Sequence, residues 1–512
     1  MTEAERFGTI VVGAGAAGAV IAARITEDER HDVLLLEAGP DYPDADRLPA
    51  DVRDGTQNSY DAHDWGYEHK PTTQQVRWRF PRGRVVGGSS AINTCIGLRG
   101  VPSDYDEWAA RGLPEWSFDK CLVAFKRLEN DLDIRNEWHG NEGPIPLRRH
   151  PRRELVPWQG AFFDAALSLG FPETKDHNDP QAKGVGPHAM NKIAGRRMSA
   201  AVCYLTPAVR GRKNLTLRAD SHVHRVRVVS GRVVGVEVET RGKVSFIEAD
   251  RVVVCGGAIA SPGILLRSGI GPKADLDRLG IRVVRDLPGV GARLLDHPGA
   301  AFFLRPKAGV VTSEDPIIQM ALRFRSHTSD HENDLQIQAG SITRTPWGTV
   351  PLVVMMCQVG KPKGHGRIQW NDKAPHAKPH IDSLFLQHPD DRAKAIEALE
   401  VAIDCAEAKA MRTLASFVYP PRFVLRNRKL LDGYIRKICD SGYHPCGTIP
   451  MGIEKDKTAV TDQYGRVFGV EGLFVADASL MPTVPTANTN LPTLMIGERF
   501  GEWLRDGLPA GA

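Results

Sequence analysis

Short apolar runs separated by glycine-rich or polar segments are the main pattern at the start of the chain. Residues 10–12 and 33–36 are apolar and too short for helices, which predicts two strands that are buried on both faces. Residues 16–25 between them are small and apolar and predict a helix. A third run, residues 252–255, predicts another buried parallel strand. The succession of strand, helix and strand is typical of an α/β fold.

Other stretches show the periodicity of amphipathic elements. Residues 223–238 alternate between apolar and polar and contain a two-residue Ser-Gly turn, which predicts a β-hairpin. Helical spacing predicts helices within residues 104–130, over residues 157–169 and from residue 391 to about 410. Residues 300–435 contain fewer glycine motifs and more amphipathic strands.

Composition and charge exclude several classes of protein. The 512 residues are 42% hydrophobic and 25% charged, and the formal net charge is +4, so we expect a globular protein without a nucleic-acid partner. No apolar stretch approaches the roughly 18 residues of a membrane helix. The first strand starts within ten residues, with no basic segment or cleavage site before it, and a cytoplasmic location is expected.

The eight cysteines are scattered along the chain and form no C-x-x-C pair. This spacing argues against a zinc site and against a disulfide framework. We therefore expect no bound metal, and a reducing compartment is the simplest one for this protein.

A glycine motif follows the first predicted strand. Gly13, Gly15 and Gly18 have the G-x-G-x-x-G spacing between a strand and a helix. In this motif the glycines allow a tight turn, close approach of a pyrophosphate, and packing of helix on strand. Glu37 ends the second strand, where a carboxylate accepts hydrogen bonds from an adenosine ribose. The motif predicts a dinucleotide and leaves FAD and NAD as alternatives.

A second glycine-rich segment covers residues 81–93 and contains Gly87-Gly88-Ser89-Ser90 between apolar neighbours. Such a backbone can lie flat against a planar ligand and offers N–H and hydroxyl donors without bulk. Surface turns are rarely flanked by so many apolar residues, so we interpret this segment as part of a ligand site.

Four segments of the chain resemble the signatures of the glucose-methanol-choline (GMC) oxidoreductases. They are residues 81–93, 257–271, 287–297 and 475–498, in the family order. The resemblance implies FAD rather than NAD as the cofactor. It is strongest toward choline dehydrogenases and aryl or furan alcohol oxidases, and it implies an alcohol oxidase or dehydrogenase.

The resemblance also implies the architecture. We expect an α/β protein, α+β overall, with a Rossmann-like FAD-binding domain formed by residues 1–155, 200–300 and 440–512. Residues 156–199 and 301–439 are expected to form a discontinuous substrate domain, built on an antiparallel sheet flanked by helices.

The motifs and the resemblance together predict the residues that contact FAD. These residues are Gly13, Gly15, Ala16, Ala17, Gly18, Glu37, Ala38, Trp65, Arg84, Val86, Gly87, Gly88, Ser89, Asn93, Thr94, Ile96, Val223, Gly257, Asp477, Ala478, Asn488, Asn490, Leu491 and Pro492. Some family members bind the flavin covalently through a histidine just before the signature asparagine. Ile92 occupies that position here, so the FAD is predicted to be non-covalent.

Two residues near the end of the chain are the candidate catalytic pair. Oxidation of an alcohol requires loss of the hydroxyl proton and transfer of a hydride to flavin N5. An imidazole suits the first task, and a neutral amide beside it can hydrogen-bond the substrate oxygen. By resemblance, His444 is the base and Asn490 is its partner, with Asn488 as a near neighbour of the same type. Pro492 predicts a helix whose positive end points at the flavin pyrimidine edge.

Other functions remain as alternatives. Hydroxynitrile lyases and light-driven fatty-acid decarboxylases share the fold without performing net oxidation, and a non-catalytic FAD-binding module is a third alternative. Glu314 and Asp315 are candidate anchors for a cationic headgroup, although acidic loop residues are usually solvated. The expected partners are a small alcohol and oxygen or another electron acceptor, and the chain is expected to act as a monomer or homodimer.

Overall fold

The computed structural model describes residues 5–345 and 348–509. A seven-stranded sheet, here called the nucleotide sheet, contains all three of the apolar runs that predict buried strands. Its strands, in order across the sheet, are Leu215–Arg218, Val33–Leu36, Arg6–Val12, Lys243–Val254, Arg232–Thr240 and Ser221–Val229, and Leu473–Val475 also pairs with Lys243–Val254.

The nucleotide sheet is parallel in its centre and antiparallel at one edge. Val12 lies between Leu36 and Val254 in parallel register, and residues 10–12 and 33–36 are almost completely buried. The edge is a hairpin of Ser221–Val229 and Arg232–Thr240. The predicted strands and hairpin are therefore confirmed, and the apolar runs form the centre because both faces of the sheet are covered.

The first and last long helices pack against each other beside this sheet. Helix Ala16–Ile25 and helix Asn490–Asp506 approach closely, since a Cβ atom on Gly497 would lie 2.8 Å from Cβ of Val20. The buried carboxylate of Glu498 accepts hydrogen bonds from Arg24 and from the Tyr204 hydroxyl. This contact holds the start of the last helix next to the glycine motif.

A second seven-stranded sheet, here called the cover sheet, is antiparallel throughout. Its strands, in order, are Ala415–Tyr419, Pro298–Pro306, Val353–Val359, Leu335–Gly340, Met320–Phe324 and Gly184–Pro187, and Asp440–Ser441 also pairs with Pro298–Pro306. Helices Pro157–Ser168 and Pro389–Glu407 pack on it in a separate hydrophobic cluster. The predicted amphipathic strands and both predicted helices are confirmed.

The remaining helices and strands lie outside these two sheets. A four-stranded sheet has the order Arg367–Gln369, His380–Asp382, Glu68–Lys70 and Trp78–Arg79. Paired short strands are Glu129–Asp131 with Ile145–Leu147, Lys192–Ile193 with Arg196–Arg197, Ile270–Gly271 with Arg285–Asp286, and Thr343–Thr345 with Gly348–Val350. The other α-helices are Ala50–Arg53, Pro102–Ala110, Phe118–Leu128, Ala200–Tyr204, Pro207–Arg210, Gly257–Arg267, Lys273–Arg278, Lys409–Arg412, Arg422–Leu425 and Arg428–Ile438. The 3₁₀ helices are Ala45–Arg47, Gly88–Ala91, Pro114–Trp116, Arg152–Glu154 and Ala478–Leu480.

Within the described residues, no helix combines the length and the apolar character needed to cross a membrane. The domain boundaries given above stay a prediction, and their outermost residues, 1–4 and 510–512, lie outside the described residues.

Candidate active site

A cleft of about 510 Å³ runs from the glycine motif, beside the nucleotide sheet, to the cover sheet. At Gly13 the backbone has φ of +100°, and a Cβ there would lie 2.6 Å from the Cys255 carbonyl oxygen. A Cβ on Gly18 would lie 1.9 Å from the Gly13 carbonyl oxygen. Side chains at these positions are excluded, so the turn stays tight and helix Ala16–Ile25 packs directly on the first strand.

This end of the cleft fits the adenosine and pyrophosphate parts of a dinucleotide. Helix Ala16–Ile25 has no side-chain cap, so its first N–H groups are free to bind phosphate. The Glu37 carboxylate accepts hydrogen bonds from the backbone N–H groups of Ala14 and Gly39, each at 2.9 Å. Burial raises the pKa of Glu37 to about 7, and these two donors oppose the shift.

The structure brings most of the predicted cofactor residues to the cleft. Those lining it are Gly13, Gly15, Ala16, Ala17, Glu37, Ala38, Trp65, Arg84, Gly88, Ser89, Asn93, Thr94, Ile96, Val223, Gly257, Asp477, Ala478, Asn488 and Asn490. Trp65 lines the cleft and also stacks on Tyr67, with ring centroids 5.8 Å apart. The position of Trp65 is thus compatible with stacking on an adenine and also with ordinary aromatic packing.

Five predicted cofactor residues do not line the cleft: Gly18, Val86, Gly87, Leu491 and Pro492. Gly18 packs the helix on the strand, as described above. The Gly87 N–H donates to the Ala14 carbonyl at 2.8 Å, which holds the second glycine-rich segment against the first. Pro492 lies in the first turn of helix Asn490–Asp506, so the predicted helix start is confirmed.

At the cover-sheet end of the cleft, His444 contacts two side chains. Its Nδ1 atom lies 3.0 Å from Nδ1 of His297, and its Nε2 atom lies 2.8 Å from Nδ2 of Asn488. Both His444 and Asn488 line the cleft. His297 was not predicted as a site residue, although residues 287–297 were recognised as a family segment.

The amide that contacts His444 is Asn488, and the role of Asn490 as partner of the base stays a prediction. Asn490 begins the last helix, so its side chain leaves the backbone in a different direction from that of Asn488. Its Nδ2 atom is buried and has no hydrogen-bond partner among the residues that the structure describes. The sequence contains two asparagines of equal character two residues apart, and only the backbone path at this point distinguishes them.

Backbone pairing brings the two histidines together. Pro298 pairs with Ser441 and Gly299 with Asp440. His297 directly precedes the first of these strands and His444 closely follows the second, so the two histidines become neighbours. The Asp296 Oδ1 atom then accepts hydrogen bonds from the backbone N–H groups of both His297 and His444. By binding both backbones, this carboxylate holds the two imidazoles next to each other. Burial raises the pKa of Asp296 to about 6.

The hydrogen bonds define which nitrogen of His444 carries the proton. His297 Nε2 lies 2.9 Å from the Pro485 carbonyl oxygen, which can only accept, so Nε2 carries the hydrogen. Burial lowers the pKa of His297 to about 4, so the neutral ring has an acceptor at Nδ1. His444 therefore donates from Nδ1, and its Nε2 lone pair is left on the side of Asn488 and the cleft.

Both histidines are neutral near pH 7. Burial, the neighbouring His297 and then Arg82 hold the pKa of His444 well below its usual value. A neutral imidazole with an unprotonated Nε2 is able to accept a proton at that atom.

The cover-sheet end of the cleft is polar and aromatic, and no carboxylate is among its described lining residues, although Asp296 lies behind His297 and His444. Its described lining includes Tyr60, Tyr443, Gln338, Met356 and Gln358, whereas Glu37 and Asp477 are the two carboxylates among all the described lining residues. The candidate anchors Glu314 and Asp315 do not line the cleft, and Glu314 is exposed.

Two buried atoms without partners indicate that this end of the cleft fits a polar heterocycle. The Asn490 Nδ2 donor and the Asn488 Oδ1 acceptor are both buried and unpaired within the described chain. Unpaired buried polar groups are costly, and a flavin ring carries both acceptors and an N–H donor. The glycine motif, Glu37 and these two atoms together fit a protein that binds a dinucleotide with a polar ring system, such as FAD.

Comparison with known proteins defines the family. Two models described as GMC oxidoreductase match residues 7–299 and 362–497. The chain belongs to the GMC oxidoreductase family, whose members are FAD-dependent enzymes that act on CH–OH groups.

Several relatives match over nearly their whole length. The 5-(hydroxymethyl)furfural oxidase of Methylovorus sp. is 34% identical over 97% of this chain and 98% of its own. An oxygen-dependent choline dehydrogenase of Chromohalobacter salexigens is 35% identical over 99% of this chain and 96% of its own. The structure of pyridoxine 4-oxidase from Mesorbium loti superposes with a TM-score of 0.89 at 29% identity, covering 97% of this chain and 98% of that one.

Proposed function

We propose that this enzyme oxidises an uncharged alcohol to an aldehyde or ketone, with His444 as the general base. The observation that carries the proposal is the position of His444 at the cleft, where its Nε2 atom lies 2.8 Å from Nδ2 of Asn488. The bound FAD would supply the hydride acceptor, at flavin N5. The following steps concern only the side chains of this protein.

The substrate hydroxyl replaces the Asn488 amide at His444 Nε2. In the free site the Asn488 Nδ2 group donates to this nitrogen at 2.8 Å. When the hydroxyl takes that place, the same amide N–H is close enough to donate to the substrate oxygen. His444 then accepts the hydroxyl proton at Nε2, while Asn488 stabilises the negative charge that develops on oxygen.

Asn490 has a different role in this proposal from the one that the sequence predicted. Its unpaired Nδ2 donor and the N-terminal end of helix Asn490–Asp506 lie at the cleft. A helix N-terminus favours negative charge. We therefore assign Asn490 to binding of the flavin ring and Asn488 to the substrate oxygen.

The charge of the pocket supports an uncharged substrate. Arg82 is partly buried at the cleft, where its guanidinium donates to the Tyr443 carbonyl oxygen at 3.0 Å and the carboxylates of Asp296 and Asp64 offset part of its charge. A cationic alcohol would meet this charge without a carboxylate in the described lining of the cover-sheet end, which is unfavourable. Among the substrates in the names of its relatives, a furan or pyridine alcohol suits the site better than choline.

The alternatives without net oxidation receive less support. Cys357, which does not fall on the cysteine position of the light-driven decarboxylases, is buried, does not line the cleft and donates to the Ala398 carbonyl oxygen. The FAD is proposed to be non-covalent because Ile92 has no nucleophilic atom, and acid precipitation should leave the yellow colour in the supernatant. Colour in the pellet would contradict that assignment.

Anaerobic mixing of the purified holoenzyme with a panel of alcohols tests the function. 5-(Hydroxymethyl)furfural, benzyl alcohol and pyridoxine should bleach the oxidised-flavin band, and choline should not. Bleaching by choline alone would contradict the charge argument. If no alcohol bleaches a flavin that dithionite still reduces, the proposed oxidation is wrong. Admission of air then shows whether oxygen accepts the electrons.

A further inference from the structure

Three histidines and a glutamate meet beside the end of the cleft that contains Trp65. His222 and His224 belong to strand Ser221–Val229, Glu239 belongs to strand Arg232–Thr240, and His376 lies in residues 370–379, between two strands of the four-stranded sheet. One nitrogen atom of each histidine lies within 4.8 Å of the other two. We call these four residues the histidine cluster.

The hairpin explains how the first three members come together. His222 is directly opposite Glu239 in the antiparallel register, and an irregularity in the pairing follows Val223. Residues two apart on a strand point to the same face, and the rings of His222 and His224 are 5.5 Å apart. His376 completes the group from a distant part of the chain, with its ring 4.8 Å from that of His222.

The donor atoms of the cluster converge on one point. Oε2 of Glu239 lies 3.0 Å from Nε2 of His224 and 2.9 Å from Nε2 of His376. Two ligand atoms on a tetrahedral zinc ion, with bonds of about 2.0–2.1 Å, are about 3.3 Å apart. The two contacts of Glu239 are close to this spacing, and the histidine nitrogens, which lie within 4.8 Å of one another, would move closer together on an ion.

Two charged side chains near the cluster act on a bound cation in opposite directions: Arg267 donates to the His224 carbonyl oxygen, and Glu239 contacts His224 and His376. The positive charge of Arg267 opposes a cation nearby, and the carboxylate of Glu239 favours it. The balance indicates a moderate affinity.

We propose that His222, His224, His376 and Glu239 bind one divalent transition-metal ion, with Zn²⁺ as the first candidate. Three imidazoles and one carboxylate form a donor set that zinc accepts in proteins. The expectation of no metal site rested on the cysteines, and this cluster contains none. Nothing in the linear spacing of the four residues indicates a site, because His376 and Glu239 are distant from the His-x-His pair.

The ion would join two parts of the cleft wall. Pro375, His376, Ala377 and Lys378 line the cleft from one side, and His222 and Val223 line it from the hairpin. A metal bond between His376 and the hairpin would hold these walls together over the bound cofactor. Metal binding should therefore slow the release of FAD without entering the chemistry at His444.

Zinc binding to the chelator-treated holoenzyme tests the site. Competition with a chromophoric zinc chelator should show one equivalent bound by the wild-type protein. His376→Ala removes a largely exposed ligand and should weaken binding at least tenfold, and Glu239→Gln should also weaken it. His327→Ala is the matched control, because His327 is an exposed histidine that also contacts a glutamate. Equal zinc binding by wild type and His376→Ala, or less than one equivalent in wild type, would overturn the proposal.

The release of FAD provides a second readout that does not depend on activity. Flavin fluorescence after dilution should rise several-fold more slowly with Zn²⁺ than without it in the wild-type protein. In His376→Ala the two rates should be equal. Equal rates of FAD release with and without Zn²⁺ in the wild-type protein would overturn the proposal that the ion links the cleft walls. Since neither measurement involves an alcohol, a failure here is distinct from a failure of the proposed oxidation.

Discussion

The Nδ1 atoms of His297 and His444 lie 3.0 Å apart, and the two rings meet edge to face at 68°. His297 donates from its other nitrogen to the Pro485 carbonyl oxygen. Because a neutral imidazole has only one N–H, this second bond determines that His297 accepts from His444. His297 is thus a positioning residue that keeps the proton off the nitrogen of His444 that faces the cleft.

Replacement of His297 tests this role. In His297→Ala the ring of His444 loses its acceptor and can adopt the other tautomer, so the anaerobic rate of flavin reduction by the alcohol should fall about 10–100-fold. His297→Asn places a carboxamide oxygen near the former Nδ1 position and should recover much of the rate. Equal rates in the two variants would contradict the tautomer argument.

The two asparagines should be separable by their variants. Asn488→Ala removes the donor to the substrate oxygen and should lower the rate of flavin reduction about 100-fold, the typical effect of losing one such donor. Asn490→Ala should reduce that rate less and should instead weaken FAD binding or shift the flavin spectrum. Stopped-flow measurement of flavin reduction and titration with FAD compare the two variants. A larger loss of the reduction rate in Asn490→Ala than in Asn488→Ala would indicate Asn490 as the partner of the base.

A buried ion pair supports the segment that orients His297. Lys361 contacts Asp104 at 3.0 Å and donates to the Val484 carbonyl oxygen. Asp104 in turn accepts hydrogen bonds from the backbone and hydroxyl of Thr486. These contacts lie on both sides of Pro485, the acceptor for His297.

Lys361→Met should therefore destabilise the protein strongly. It leaves the carboxylate of Asp104 buried without its partner, which typically costs about 3–5 kcal/mol. The matched control is Lys363→Met, since Lys363 is 60% exposed and contacts Asp390 at the surface, where a pair contributes about 0–1 kcal/mol. Denaturant unfolding of the FAD-saturated variants measures the difference, and similar midpoints would contradict it.

Two buried histidines should lower the stability of the fold as the pH becomes acidic. Burial lowers the pKa of His297 to about 4 and that of His177 to about 3, so the unfolded chain takes up protons first as pH falls below about 6.5. Each such histidine then costs up to about 1.4 kcal/mol per pH unit.

His139 acts in the opposite direction. Burial lowers its pKa, but hydrogen bonds to Asp131 and two further carboxylates outweigh this and raise it to about 10. Its contribution to stability is complete below about pH 6.5 and is lost as pH rises toward 10. The unfolding midpoint should therefore decrease from pH 7 to pH 9, and an equal or higher midpoint at pH 9 would contradict the assignment of His139.

Much of the fold was predictable because its central elements have strong local patterns. Residues 10–12, 33–36 and 252–254 are apolar because both faces of their strands are covered, and the hairpin alternates because it forms the edge of the sheet. The glycine motif was equally clear, since Cβ atoms at Gly13 and Gly18 would collide with the backbone.

The features that the sequence did not predict depend on contacts between residues that are distant in the chain. Arg149 lies in an arginine-rich segment, a composition typical of a solvated face, but it is buried between Asp131 and Asp176. The choice of Asn488 over Asn490 depends on the backbone path before the last helix. The contact between His297 and His444 depends on strand pairing across the cover sheet, and none of these relationships has a local signal.

The most direct test of the account is the rate at which an alcohol that bleaches the wild-type flavin reduces His444→Ala under anaerobic conditions. If His444 is the general base, the rate should fall about 10²–10⁴-fold. The variant should retain FAD and its reduction by dithionite, which separates loss of the base from loss of the site. An unchanged rate of reduction by the alcohol would contradict the assignment of His444.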